Sequence, residues 1–218
     1  MKKILVGFSA FMLLLGLSGA AGAYTINYDY ALGDGGFTSP YSGVAVETFD
    51  PTSNLWTWDG DFLIRNTSTS GVSAAPYGVS AADETNFISV PNQSSSGSAT
   101  ATQTTAILGG AFNYLGLWWG SVDAYNSITF FNNGSEGLTI TGSQAINPSA
   151  ANGNQTATST NLYVNFRDLP YFDSFRLNST QYAFEVDNIA VGVPEPASML
   201  LLGLGLLGVA GIRRKLKK

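Results

Sequence analysis

Hydrophobic and polar residues alternate in short bursts along most of the 218-residue chain. Ile26, Tyr28 and Tyr30 interleave with Thr25, Asn27 and Asp29, and Val44 and Val46 begin a second burst. Leu55–Arg65 carries Trp56, Trp58, Phe62 and Ile64. Similar segments follow at Asn86–Val90, Phe112–Trp119, Ser127–Asn132, Gly137–Gly142, Asn161–Asp168, Phe172–Asn178 and Gln181–Val191. A period of two places alternate side chains on opposite faces of a strand. Ten such segments, punctuated by Gly, Asn, Asp and Ser and without an amphipathic helix, predict an all-β fold. The expected architecture is one antiparallel β-sandwich, jelly-roll-like, over residues 24–193.

Local details sharpen that expectation. Asn132-Asn133-Gly134 is a hairpin-turn signal between two segments. Trp118 and Trp119 are adjacent, so one strand cannot send both to the same core, and one belongs at or near the surface. The last segment changes phase: Tyr182, Phe184 and Val186 share one parity, Ile189 and Val191 the other. One extra residue at Asp187-Asn188, a β-bulge, would return both sets to one face. Asn92–Ala106 and Gly142–Thr160 are poor in large apolar residues and read as exposed loops or edge segments.

The two ends depart from the alternating pattern. Residues 1–23 begin with Lys2 and Lys3, continue through an apolar run and end at Ala21-Gly22-Ala23, which predicts a signal peptide cleaved by signal peptidase after Sec export. At the other end Pro194, Glu195 and Pro196 precede an uncharged apolar run over residues 197–212 and a basic tail over 213–218 that includes Arg213, Arg214 and Lys215. Sixteen residues make a helix of about 24 Å, which by length alone suits a short membrane span or a buried core helix. The cationic tail selects the span, with the tail on the cytoplasmic side of the inner membrane. The block resembles the PEP-CTERM sorting signal of Gram-negative bacteria, over about a tenth of the chain. That resemblance implies processing by exosortase and release to the cell surface or extracellular matrix. YLGLWWGSVDAYN at 114–126, with SITFFN after it and FEVDNIAV near the end, resembles a family of exosortase-dependent surface proteins, which implies an extracellular β-sandwich of unassigned activity.

Composition removes several chemistries. With no Cys and no His, the chain can build neither a disulfide framework nor a Ser-His-Asp, Cys-His or His-based metal site. Between Tyr24 and Val193 three arginines face fourteen carboxylates, a net charge of −11, and lysine is absent. Such a domain repels nucleic acid and is compatible with divalent cations and neutral extracellular polysaccharide.

Four candidate chemistries remain. The outer of Trp118 and Trp119, with Asp123 and Asn126 nearby, could form an aromatic platform for a sugar; the competing reading packs that indole under a loop. The closing strand resembles that of jelly-roll carbohydrate-binding modules, and this resemblance points to Asp187 as a ligand of structural calcium. Asp59 and Asp61, flanking Gly60, could supply further oxygens. A glycosidase could run on paired carboxylates, with Glu47, Glu84, Glu136 and Glu185 available, although spacing selects no pair. Alternating threonines at 100, 102, 104 and at 156, 158, 160 would form hydroxyl rows if extended, as on ice-binding surfaces, and the C-terminal pattern also occurs on proteins described as ice-binding. The leading expectation is a noncatalytic exported surface protein that is glycan-binding or structural. The alternatives are a carbohydrate-active enzyme and an ice-binding or adhesive protein.

Overall fold

The computed structural model describes residues 23–33, 36–51, 55–104 and 110–193. The expected signal peptide (all but Ala23), the Pro194–Pro196 triplet, the apolar run and the basic tail lie outside those residues. Among the described residues, no helix is long and apolar enough to cross a membrane.

Fourteen strands form within the described chain: β1 (Thr25–Asn27), β2 (Ala31–Gly33), β3 (Gly36–Thr38), β4 (Ala45–Glu47), β5 (Trp56–Gly60), β6 (Leu63–Arg65), β7 (Phe87–Val90), β8 (Gly97–Gln103), β9 (Tyr114–Gly120), β10 (Asn126–Asn132), β11 (Ser135–Thr141), β12 (Leu162–Arg167), β13 (Ser174–Ser179) and β14 (Phe184–Gly192). A single turn of helix, α1 (Gly142–Ala145), is held by a capping box between Thr141 and Gln144. One sheet runs β1-β12-β9-β14-β7-β6, with β4 also pairing to β14, and the second runs β11-β10-β13-β8-β5. Neighbouring strands are antiparallel throughout. From β7 to β14 the chain changes sheet at six of seven steps.

Alternation builds the core between the sheets. Leu115, Leu117, Trp119, Phe166, Phe184 and Val186 of the first sheet meet Trp56, Ile128, Phe130, Phe175 and Leu177 of the second. Trp119 stacks on Phe184 with ring centroids 4.4 Å apart. Burying each such side chain contributes about 1.5–3 kcal/mol.

The turn and bulge expectations hold. Asn132 pairs with Ser135 around a two-residue loop, in which Asn133 (φ 49°) and Gly134 (φ 74°) take the left-handed conformation. The β14–β9 register shifts between Asp187 and Ala190, with Asn188 at φ 49°. As a result Phe184, Val186, Ile189 and Val191 all enter one core.

Three expectations need correction. Leu55–Arg65 is not one strand: β5 belongs to the second sheet and β6 to the first, and the chain crosses between them at Asp61. Asn92–Ala106 is not a loop or an edge, since β8 lies inside the second sheet between β13 and β5. Its buried residues are Ala99 and Ala101, small because the Trp58 and Phe175 rings of its neighbours fill the space around them, 5.8 Å apart. The second threonine row is not extended; Asn154 Oδ1 accepts the Thr156 and Ala157 N–H groups and shapes a turn-rich loop there. Only the first row, Thr100 and Thr102 on β8, lies on a strand.

A third layer covers the outer face of the first sheet. It consists of the β2–β3 hairpin and the segment 66–86. Hydrogen bonds to buried polar side chains attach it. Asn188, whose carbonyl accepts from Tyr163 Oη within the sheet at 3.0 Å, donates from Nδ2 to the Phe37 carbonyl of the hairpin at 2.9 Å. Asn165 Nδ2 donates to the Asp29 carbonyl at 2.7 Å.

Candidate functional site

Trp118 points away from the main core and packs in this third layer with Phe37 and Tyr163. Only 2% of it is exposed, and Trp119 is fully buried, so neither indole offers a ring face to a ligand. The hairpin takes the place of the loop in the competing reading. Asn126 is also internal: Nδ2 donates to the Ala183 carbonyl at 3.2 Å, and Oδ1 accepts from Ser179 Oγ at 2.7 Å. Asp123 is half-buried on a different surface. The four residues therefore do not assemble into one platform.

The metal candidates separate in the same way. Asp59 pairs with Thr100 in the second sheet and is exposed. Asp61 accepts the N–H groups of Asn92 (3.0 Å), Gln93 (2.8 Å) and Ser94 (3.2 Å) and the Ser94 hydroxyl (2.8 Å). Desolvation raises its pKa, but these hydrogen bonds outweigh it and leave the carboxyl below its ordinary value. Asp61 ties a turn and has no free lone pairs to spare for a cation. Asp187 lies in the first sheet beside a residue the sequence did not single out, Asp83. Asp83 Oδ2 and Asp187 Oδ1 are buried and meet no donor from any other side chain or backbone group, and the two carboxyls interact with each other, the protonated one donating to its neighbour. Burial first, then the charge of Asp83, hold the Asp187 carboxyl well above the carboxylate range, and burial likewise raises Asp83. A buried pair of carboxyls with no other donor suits either a shared proton or a hard cation in its place. Among the described residues, no group of three acidic side chains is placed to hold one, so carbonyl or water oxygens would have to complete the shell.

Carboxylates also meet in a groove of about 610 Å³ at one end of the sandwich, between the 68–74 loop, Ser121–Tyr125 and Tyr182–Glu185. Glu185, 2% exposed, accepts from the Ala74 N–H at 2.7 Å and from Ser121 Oγ at 3.3 Å. Desolvation lifts its pKa to about 7, against those two bonds and with a further push from the Asp123 charge. The groove lining holds no Lys or Arg. Sequence alone could not choose Glu185 from the other acids. The available signal was its position: with Asp187 it occupies the face of β14 opposite Phe184 and Val186. Glu47, in contrast, is a structural clamp that accepts the N–H groups of Phe49 (3.0 Å) and Leu55 (2.7 Å).

A second opening, of about 400 Å³, has a different lining. Tyr28, Tyr30, Phe37 and Val79 form its apolar walls, with Thr158 and Ser159 among its polar ones, and no charged residue is among the described residues that line it. Tyr28 Oη donates to the Ala145 carbonyl at 3.0 Å, and Tyr30 packs on Phe37 with centroids 4.3 Å apart. The tyrosine rings are thus held at fixed angles.

Residues 192–215 match the PEP-CTERM protein-sorting motif. The PEP-CTERM block therefore begins at Gly192, the last residue of β14. No curated protein matches the chain. Among solved structures, CpGH89CBM32-6 produced by Clostridium perfringens is similar at 14% identity and a TM-score of 0.33, covering 62% of this chain and 93% of that one. The K2 cleaved adhesin domain of Lys-gingipain is similar at 14% identity and a TM-score of 0.31, covering 70% of this chain and 99% of that one. At these TM-scores neither likeness bears on what this chain binds.

Proposed function

We propose that this chain is the precursor of a noncatalytic, exported surface or extracellular-matrix protein, processed by exosortase at its PEP-CTERM block. Its sandwich then binds extracellular glycan or serves as a structural component of the matrix. The sorting motif at residues 192–215 is the observation that carries this reading. The net charge of −11 on residues 24–193 and the absence of lysine there support a partner that is neither nucleic acid nor anionic lipid. Repeated sheet changes between β7 and β14 support the jelly-roll-like connection. In a strain lacking exosortase, the precursor should stay in the inner membrane, and the Pro194→Ala, Glu195→Ala, Pro196→Ala variant should behave alike. Unchanged surface release in either case would refute the sorting step.

Structural calcium belongs to this proposal, with Asp83 and Asp187 as the carboxylate ligands. A ligand that binds only the native state raises the melting temperature, by an amount that grows with the logarithm of its concentration above Kd. Calcium should therefore stabilise the wild type and leave Asp187→Asn unmoved; equal responses would remove the metal from the account.

One observation favours a second reading. Glu185 and Asp123 share a groove, and a carboxyl lifted to about 7 can act as a general acid. Against it, Glu185 already spends both oxygens on Ala74 and Ser121. Release of reducing ends from a polysaccharide, lost in Glu185→Gln, would select the enzyme reading.

A further inference from the structure

Among the described residues, three of the seven exposed large apolar side chains, Tyr28 (42% exposed), Tyr30 (47%) and Val79 (69%), line this opening, and a fourth, Leu32 (73%), lies in the hairpin between Tyr30 and Phe37; Leu63, Tyr171 and Val193 do not line it. Clustering of this kind marks a binding surface rather than ordinary exposure. The lining is also mixed. The hydroxyls of Thr158 and Ser159 are exposed beside the aromatic walls. Asn161, deeper in the wall, is fully occupied: Oδ1 accepts from the Tyr77 and Ser121 N–H groups, and Nδ2 donates to the carbonyls of Asn154 and Ala157.

Aromatic faces fixed in place, flanked by uncharged hydroxyls, complement a molecule with apolar C–H faces and hydroxyl edges. A sugar ring has that character. Pinning the rings in advance reduces the ordering cost of binding. A volume of about 400 Å³ lies within the range of small-molecule sites. Charge argues for the same class: no described lining residue is charged and the domain's net charge is −11, so anionic sugars meet a repulsive surround and no cation among the described lining residues.

We infer that the cleft formed by Tyr28, Tyr30, Phe37 and Val79, with Thr158 and Ser159 at its polar side, is a binding site for a neutral sugar residue of an extracellular polysaccharide. Tyr30, packed on Phe37 with the rings tilted by 36°, is the ring platform. The inference rests on the glycan-binding reading above and gives it a location. It moves the aromatic platform from the tryptophans of β9 to a hairpin some eighty residues earlier.

Calorimetric titration of the exported protein with maltotriose, cellotriose and chitotriose, and with trigalacturonate as the anionic counterpart, tests it. At least one neutral trisaccharide should bind, with trigalacturonate at least tenfold weaker. Tyr30→Ala should weaken binding at least tenfold and Tyr30→Phe less than threefold, because the ring face carries the contact. Val79→Asp, at an exposed position that the fold does not need, should also weaken binding and keeps the test valid if Tyr30→Ala disturbs the hairpin. Neutral binding that neither Tyr30→Ala nor Val79→Asp alters would overturn the site while leaving the glycan reading intact. If no neutral trisaccharide binds, that reading fails and the site with it. Preference for trigalacturonate, or a dimer that Val79→Asp dissociates, would likewise overturn the assignment.

Discussion

Glu185 shows how one buried acid can set a pH dependence. Its pKa is about 7 in the folded protein against an ordinary 4.5. Between those values the folded state keeps a proton that the unfolded state has released. Its stabilising contribution is complete below pH 4.5 and is lost as pH rises through about 7. At roughly 1.4 kcal/mol per pKa unit, the full swing is about 3 kcal/mol. Glu185→Gln cannot ionise, so its melting temperature should gain on the wild type as pH rises from 5 to 8. Asp83 and Asp187 act in the same direction but are common to both proteins and cancel in the comparison. Parallel melting curves across that range would show that Glu185 is not strained by ionisation.

At the level of elements, the β2–β3 hairpin depends on close approach to the sheet. Gly36 has φ 121°, and a methyl group there would overlap the Trp118 ring. Gly36→Ala should cost about 1–3 kcal/mol by lifting the hairpin, seen as a lower melting temperature and a red-shifted tryptophan emission. An unchanged spectrum would mean that the hairpin does not seal this indole. The same element explains what could and could not be read from sequence. The Asn133-Gly134 turn and the bulge at Asp187-Asn188 were legible because each is written in adjacent residues, as a turn pair and as a parity change. β8 was not, since its buried face is only Ala99 and Ala101 beneath rings supplied by other strands. Nor was the environment of Trp118: its partner Phe37 is distant in sequence, and alternation says which residues oppose each other across a strand, not what covers them. The cleft around Tyr30 was hidden for the same reason, as its walls come from the start of the chain, the 66–86 segment and the loop before β12.

At the level of the whole molecule, the separation of charge makes a clear prediction. Residues 24–193 hold three cations against fourteen anions, whereas the basic tail at 213–218 begins inside the C-terminal end of the sorting motif. The domain alone should not sediment with anionic vesicles at low ionic strength, and the chain that includes residues 194–218 should. Salt-sensitive binding by the domain alone would reveal a local basic patch that outweighs the net charge.

β14 also fixes the timing of assembly. This strand holds β9 on one side and β7 and β4 on the other, and it ends at Gly192. Without it the first sheet falls into separate pieces: β1-β12-β9, the β7-β6 pair and an unpaired β4. On the proposed export route, a chain threaded outward from its N-terminus keeps its largest sheet open until the sorting block follows it. Only the four residues 193–196 then separate the finished sheet from the apolar run, a span of at most about 14 Å. On that route completion of the fold and delivery to the processing enzyme become nearly one event, and a chain truncated before Phe184 should be protease-sensitive in the strands of the first sheet.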